Sequence, residues 1–172
     1  SLISITQQKA VLFTGTVRSN LQFGNDQADD EQMWHALEVA RAADFVKEAG
    51  GLDAVVEQNG SNFSGGQRQR LAIARTIIKK ASVYVFDDSF SALDFKTDAQ
   101  LRMALKADPQ IKQAVTVIVA QRISTVADAD LILVLDEGRV VGQGTHAQLK
   151  ADNPTYQQIL HSQIQEGDEA HA

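Results

Sequence analysis

Three short, largely apolar runs constrain this chain more than any other feature: Val83-Tyr84-Val85-Phe86, Val115 to Ala120 and Leu131 to Leu135. Runs of this length without polar alternation suit strands buried on both faces of a parallel sheet. Thr97 to Ala107 has helical character, and a short helical stretch near Ile123 to Ala127 separates the last two runs. Strands alternating with helices predict an α/β fold with a largely parallel sheet. The 172 residues are enough for one domain with a sizeable core.

The N-terminal half reads differently. Residues 1 to 13 alternate weakly and end in Val11-Leu12-Phe13, which predicts a short strand running into a loop. Thr16 to Gly24 has a mixed pattern, and Asn25 to Gln32 reads as a polar surface turn. Leu37, Ala40, Ala43 and Val46 recur at helical spacing, predicting one amphipathic helix over 33–49 that Gly50-Gly51 stops. Ser64 reads as a helix N-cap with Gln67 at the capping-box position. That helix is predicted to run to about Lys80, with Leu71, Ala74 and Ile78 on its inner stripe. Asp136 to Arg139 forms a hairpin-type turn into Val140-Val141, and the polar tail after His161 is predicted to fray.

Composition excludes several classes. Sixteen Lys and Arg against 22 Asp and Glu leave a net charge of −6, so nothing favours nucleic acid or an anionic membrane surface. The absence of cysteine removes thiolate metal sites and cysteine nucleophiles. No apolar run approaches the length of a membrane span. His35, His146, His161 and His171 are too scattered for a metal-ligand pattern, and His146 reads as a surface or hairpin residue. Gly142-x-Gly144-x-x-Ala147 imitates a dinucleotide fingerprint but comes too late in the chain for a βαβ unit to follow.

Two features carry chemistry. In the first, Ser64, Gly65, Gly66 and Gln67 open a helix. A hydroxyl and two glycines there make a ready anion site, although Ser-Gly-Gly alone reads better as a capped helix after a turn. In the second, Asp87 and Asp88 close the Val83 strand. Carboxylates at the carboxyl end of a parallel strand stand where α/β sheets bind ligands; one can hold Mg²⁺ through waters and another can orient an attacking water. A strand that simply ends in a polar turn would present the same pair.

Together, in this order and spacing, the two features resemble the nucleotide-binding domain of ABC transporters, the exporter type in particular. The resemblance extends from Ile3 to about Leu160. Phe63-Ser64-Gly65-Gly66-Gln67 is similar to the family signature, with Phe63 where Leu is usual; Val83 to Asp87 resembles the Walker B strand. Ser91, Ala92, Leu93 and Asp94 resemble the D-loop, and Gln8 stands where the family has its Q-loop glutamine. Leu12 to Asn20 is similar to the exporter stretch facing the membrane domain's coupling helices, and Gly142 to His146 is also exporter-like. The resemblance implies a P-loop NTPase (RecA-like) core, formed by about 1–15 and 81–160, and a helical subdomain with the signature helix over about 16–80. It further implies ATP as ligand, with Ser64, Gly65, Gly66, Gln67, Gln8 and Asp87 contacting nucleotide, and Mg²⁺ held by Gln8 and Asp87 through water. A second nucleotide-binding domain and the coupling helices would be partners, at the cytoplasmic face of the cell membrane.

Several departures shape the expected activity. None of the 11 glycines is followed by Lys, so Gly-x-x-x-x-Gly-Lys-Ser/Thr is absent. In the family that P-loop precedes the Q-loop, so the chain is expected to be the C-terminal part of a domain, with much of its core missing a partner layer. Asp88 stands where active members have Glu, and Gln121 stands where they have the switch histidine. A carboxylate one methylene short and an amide that cannot carry imidazolium charge both weaken hydrolysis. The pair resembles one half of a heterodimeric exporter with unequal sites: its own site slow, its signature completing the partner's site. Glu57-Gln58-Asn59-Gly60 replaces the usual Gly-Glu-x-Gly, leaving either Glu57 or Gln58 for the interdomain contact. A soluble, non-transport ABC ATPase and a non-catalytic dimerisation fragment are the alternative readings. The short, uninterrupted segment between Gln8 and Ser64 favours transport over the former.

Overall fold

The computed structural model describes residues 2–169, which divide into two compact units, the division falling between Val119 and Ala120. His171 lies outside the described residues. The first unit begins with β1 (Ile3–Thr6), β2 (Gly15–Thr16) and α1 (Val17–Gln22). It continues through α2 (Asp30–Val39), α3 (Ala43–Ala49), β3 (Val55–Val56), a 3₁₀ turn (Gln58–Gly60) and α4 (Gly65–Ile77). It closes with β4 (Val83–Asp87), α5 (Phe95–Ala107), α6 (Pro109–Lys112) and β5 (Val115–Val119). The second unit holds α7 (Ile123–Val126), β6 (Ile132–Asp136), β7 (Arg139–Gly144), α8 (His146–Asp152) and α9 (Pro154–Glu169).

The predicted parallel sheet is present, with β4 between β1 and β5 and both pairings parallel. Its burial differs from expectation. Tyr84 and Phe86 are wholly buried, but Val83 and Val85 on the other face are only half-buried. By register, Ile3, Val83 and Val115 share that second face, as do Ile5, Val85 and Val117, and every one of the flanking residues is exposed. The run over 83–86 is therefore covered on one face only, because α4 and its neighbours pack on a single side of the sheet. The Val115 run likewise forms a mostly exposed edge strand. The Leu131 run forms β6, which pairs antiparallel with β7 rather than joining the parallel sheet. In β6, Ile132 and Val134 are buried against Leu149 and Tyr156, while Leu133 and Leu135 are exposed.

On the covered face β1 offers hydroxyls rather than hydrocarbon. Ser4 Oγ donates to the Thr76 carbonyl at 2.7 Å, and Thr6 Oγ1 donates to Thr76 Oγ1 at 2.5 Å. This buried polar contact fixes the angle and register of α4 against the sheet. Tyr84, in register with Ser4, adds to this contact just beyond the end of α4. Its hydroxyl donates to the Lys79 carbonyl at 2.7 Å and accepts from Gln110 Nε2 at 2.7 Å. Phe86 packs edge-on against Phe90, with ring centroids 6.0 Å apart. Phe86→Ala is therefore expected to cost about 3–5 kcal/mol in urea unfolding. Val117→Thr, on the open face, should stay within about 0.5 kcal/mol.

The predicted helix over 33–49 is two helices. Arg41 turns the chain with φ +59°, and Arg70 Nη1 donates to the Arg41 carbonyl at 2.8 Å, so a tertiary contact holds the break. Gly50 ends α3 at φ +118°, as its glycine predicts. The mixed stretch over 16–24 contains α1, made by a reciprocal capping box between Thr16 and Ser19. The α4 helix ends at Ile77, three residues before the predicted stop. In the second unit α9 continues to Glu169, through the segment predicted to fray. Its Gln163 accepts from the Ile123 N–H at 2.9 Å and donates to the Gln121 carbonyl at 2.7 Å, tying it to α7.

Candidate nucleotide site

The site is built at the carboxyl edge of the three-stranded sheet. Thr6 pairs with Phe86, so Gln8, just past the end of β1, and Asp87-Asp88, at the end of β4, stand on one edge. Gln8 is exposed, and Asp87 and Asp88 are half-buried. An amide oxygen and carboxylates are hard donors of the kind Mg²⁺ takes while keeping several waters. Among the described residues there is no cluster of three or more His, Asp or Glu groups. The donor set thus fits a cation completed by water and phosphate oxygens, not an all-protein cage.

Asp88 occupies the left-handed region at φ +51°, a conformation that non-glycine residues adopt at a cost. Its N–H donates to the Val119 carbonyl at 2.8 Å, so the turn after β4 is fastened to β5. Ser91 Oγ closes the turn by donating to the Asp88 carbonyl at 3.2 Å. Asp94, last of the D-loop residues, caps α5. Its carboxylate accepts from the Thr97 N–H at 2.7 Å and the Thr97 hydroxyl at 3.0 Å, and these bonds hold it below the usual carboxylate range.

The signature residues open α4 as predicted. Ser64 Oγ accepts from the Gln67 N–H at 3.2 Å, and the Gln67 side chain accepts from the Ser64 N–H at 3.0 Å. The first turn lies directly on the D-loop. A Cβ on Gly66 would stand 3.0 Å from the Ala92 carbonyl oxygen and 3.5 Å from Leu93, while Ser64 and Ala92 remain exposed. Glycine here serves close approach.

One residue escaped the sequence reading. Gln69 is buried, its Oε1 accepts from the Ala92 N–H at 2.9 Å, and its Nε2 donates to Ser91 Oγ at 3.0 Å. Its neighbours Arg68 and Arg70 make the stretch look solvated, and only its helical phase with Ala72 and Thr76 hints at burial.

Gln121 belongs to the second unit, where it is exposed and its carbonyl is held by Gln163. His146 opens α8 instead of lying on the hairpin. It is half-buried, with Nδ1 2.6 Å from the Tyr156 hydroxyl.

The stretch over 12–20 makes a second surface. Leu12 is buried, and the Asn20 amide holds Phe13 from both sides, accepting from its N–H at 2.9 Å and donating to its carbonyl at 2.8 Å. Phe13 is thereby presented outward, stacked on Phe23 at 4.3 Å, and both rings are exposed. Arg75 lies beside them, 5.4 Å from the Phe13 ring, with Nη2 donating to the Val11 carbonyl at 2.8 Å. Glu57 and Gln58 open a tight turn in which Ser61 Oγ donates to the Glu57 carboxylate at 3.2 Å.

The sequence pattern of the ABC transporter family matches residues 1–91. An uncharacterized ABC transporter ATP-binding protein of Mycobacterium tuberculosis is 50% identical over 167 residues, 95% of this chain and 28% of that protein. An ATP-dependent lipid A-core flippase of Francisella tularensis is 40% identical over 167 residues, 96% of this chain and 27% of that protein. Among solved structures, a bacterial Atm1-family ABC exporter with ATP bound superposes with a TM-score of 0.88. Its sequence is 36% identical, covering 94% of this chain and 28% of that one. The chain thus spans little more than a quarter of the length of these relatives.

Proposed function

Starting from the fact that this chain belongs to the ABC transporter family, as an exporter-like ATP-binding domain, we propose that it serves an ATP-driven exporter as one half of a composite nucleotide site. The observation that carries this reading is the capped signature helix seated against the D-loop at the carboxyl edge of β4. Ser64 and the first N–H groups of α4 would bind the γ-phosphate of ATP held by a second nucleotide-binding domain. The exposure of Ser64 and Ala92 supports this, since an intramolecular site would cover them. Asp87 and Gln8 would hold Mg²⁺ in this chain's own site, and Mg²⁺ when bound neutralises phosphate charge.

Asp88 and Gln121 support a slow own site. The Asp88 carboxylate starts one methylene short of the usual base, from a backbone pinned to Val119 and unable to slide forward. The Gln121 amide can donate to a phosphate oxygen but cannot carry a charge. We read the open apolar face of β1, β4 and β5 as the seat of the P-loop segment of the same domain, since Ile3, Ile5, Val115, Val117 and Val119 are exposed there and Val83 and Val85 are only half-buried. The Phe13–Phe23 pair is read as the docking point of a coupling helix, which would set the chain against the cytoplasmic side of a membrane domain. No described helix is long and apolar enough to cross a membrane. Two substitutions in the full-length exporter test the reading, at Ser64 and at Asp88, whose losses of ATP turnover should differ widely.

A further inference from the structure

We propose that Gln69 is a positioning residue for ATP turnover. Its amide clamps the turn from Asp88 to Ala92 onto α4, so that the signature end of the helix and the Asp88 carboxylate keep one fixed relation. The proposal rests on the composite-site reading above. A buried primary amide must find partners for both its ends, and Gln69 finds both in one turn. Oε1 takes the Ala92 N–H at 2.9 Å, Nε2 gives to Ser91 Oγ at 3.0 Å, and the Asp88 carbonyl lies 3.5 Å from the same nitrogen. Ser91 relays the contact by donating to the Asp88 carbonyl. A residue at φ +51° persists only where its surroundings over-determine it. Val119 holds Asp88 by its N–H and the Gln69–Ser91 pair holds it by its carbonyl.

The same helix carries the signature one turn earlier. Gly66 already leaves Ala92 no slack, since a Cβ there would reach 3.0 Å from its carbonyl oxygen. Gln69 and Gly66 thus grip the D-loop at two points along α4, and the loop cannot move without the helix. Asp88 would serve one nucleotide site and Ser64 the other. Releasing the turn under the first turn of α4 would displace Ser64 in the partner's working site, where displacements of about 1 Å cost on the order of 100-fold, whereas the slow site that Asp88 serves adds little to turnover.

The test is a comparison in the full-length exporter of Gln69→Leu, which keeps the volume and removes both polar ends, with Gln69→Glu, which keeps an acceptor for Ala92. Gln69→Leu is expected to lower kcat by about 10- to 100-fold with the KM for MgATP within about twofold. Gln69→Glu should fall between it and the wild type. Adding Ser91→Ala to Gln69→Leu should cause little further loss, since both act on one turn. A second arm follows hydrogen exchange of the Ala92 N–H, expected to quicken at least about tenfold in Gln69→Leu and to stay slow in Gln69→Glu. An unchanged kcat in Gln69→Leu, independent multiplication of the two losses, or unchanged Ala92 exchange would each overturn the proposal. Should Gln69→Leu fail to fold, Gln69→Glu carries the comparison, with an intermediate kcat supporting the proposal and a wild-type kcat overturning it. An exporter lacking ATPase activity in its wild-type form would instead defeat the function proposed above, and Ala92 exchange would still decide the role of Gln69.

Discussion

Ser64→Arg in the full-length exporter is expected to abolish most ATP turnover, whereas Asp88→Asn should change it little. Ser64 stands exposed at the N-cap of α4, beside the first N–H groups of the helix. An arginine there fills the space a phosphate needs and removes the oxygen that caps Gln67. The lost cap accounts for about 1 kcal/mol of stability, small beside a typical domain's 5–15 kcal/mol, so lost turnover reports the site and not unfolding. Asp88→Asn removes a charge from a site already disadvantaged by a short side chain. ATPase assays of the two variants in the same preparation decide the matter, and equal losses would sink the asymmetry.

Asp88→Glu combined with Gln121→His should restore the slow site. The longer carboxylate reaches further from the fastened backbone, and the imidazole supplies a group able to carry charge. With the companion site disabled, residual turnover is expected to rise on the order of 100-fold. In the otherwise intact exporter it should rise by no more than about twofold, because two working sites then replace one. Single-turnover measurements separate the two cases. A double variant that hydrolyses no faster than the starting protein would show that neither residue limits the reaction.

What was legible in the sequence followed from short-range chemistry. The Ser64–Gln67 box, the Gly50 stop and the strand ending in Asp87 depend on residues within one or two turns of each other, and each stands where its local signals put it. The break at Arg41 was not legible, because it carries neither glycine nor proline; Arg70, 29 residues away, satisfies its carbonyl. The six-residue α1 is too short to show a period, and its capping box uses Ser19 where Glu or Gln is usual. The apolar runs announced strands correctly but overstated their burial. Hydrophobicity reports what a face could be covered by and not whether the cover lies within these residues. Gln69 was hidden by the arginines beside it, since composition cannot tell a buried amide from a solvated one.

On the proposed composite site, this chain supplies the signature half, and the half that wraps phosphate comes from a P-loop that its sequence does not contain. Titration calorimetry of the 172-residue chain with MgATP tests this division most directly. No binding heat is expected up to about 1 mM nucleotide, and micromolar binding is expected once a P-loop segment is supplied. A Kd of about 1 μM for the chain alone, equivalent to about −8 kcal/mol, would contradict it.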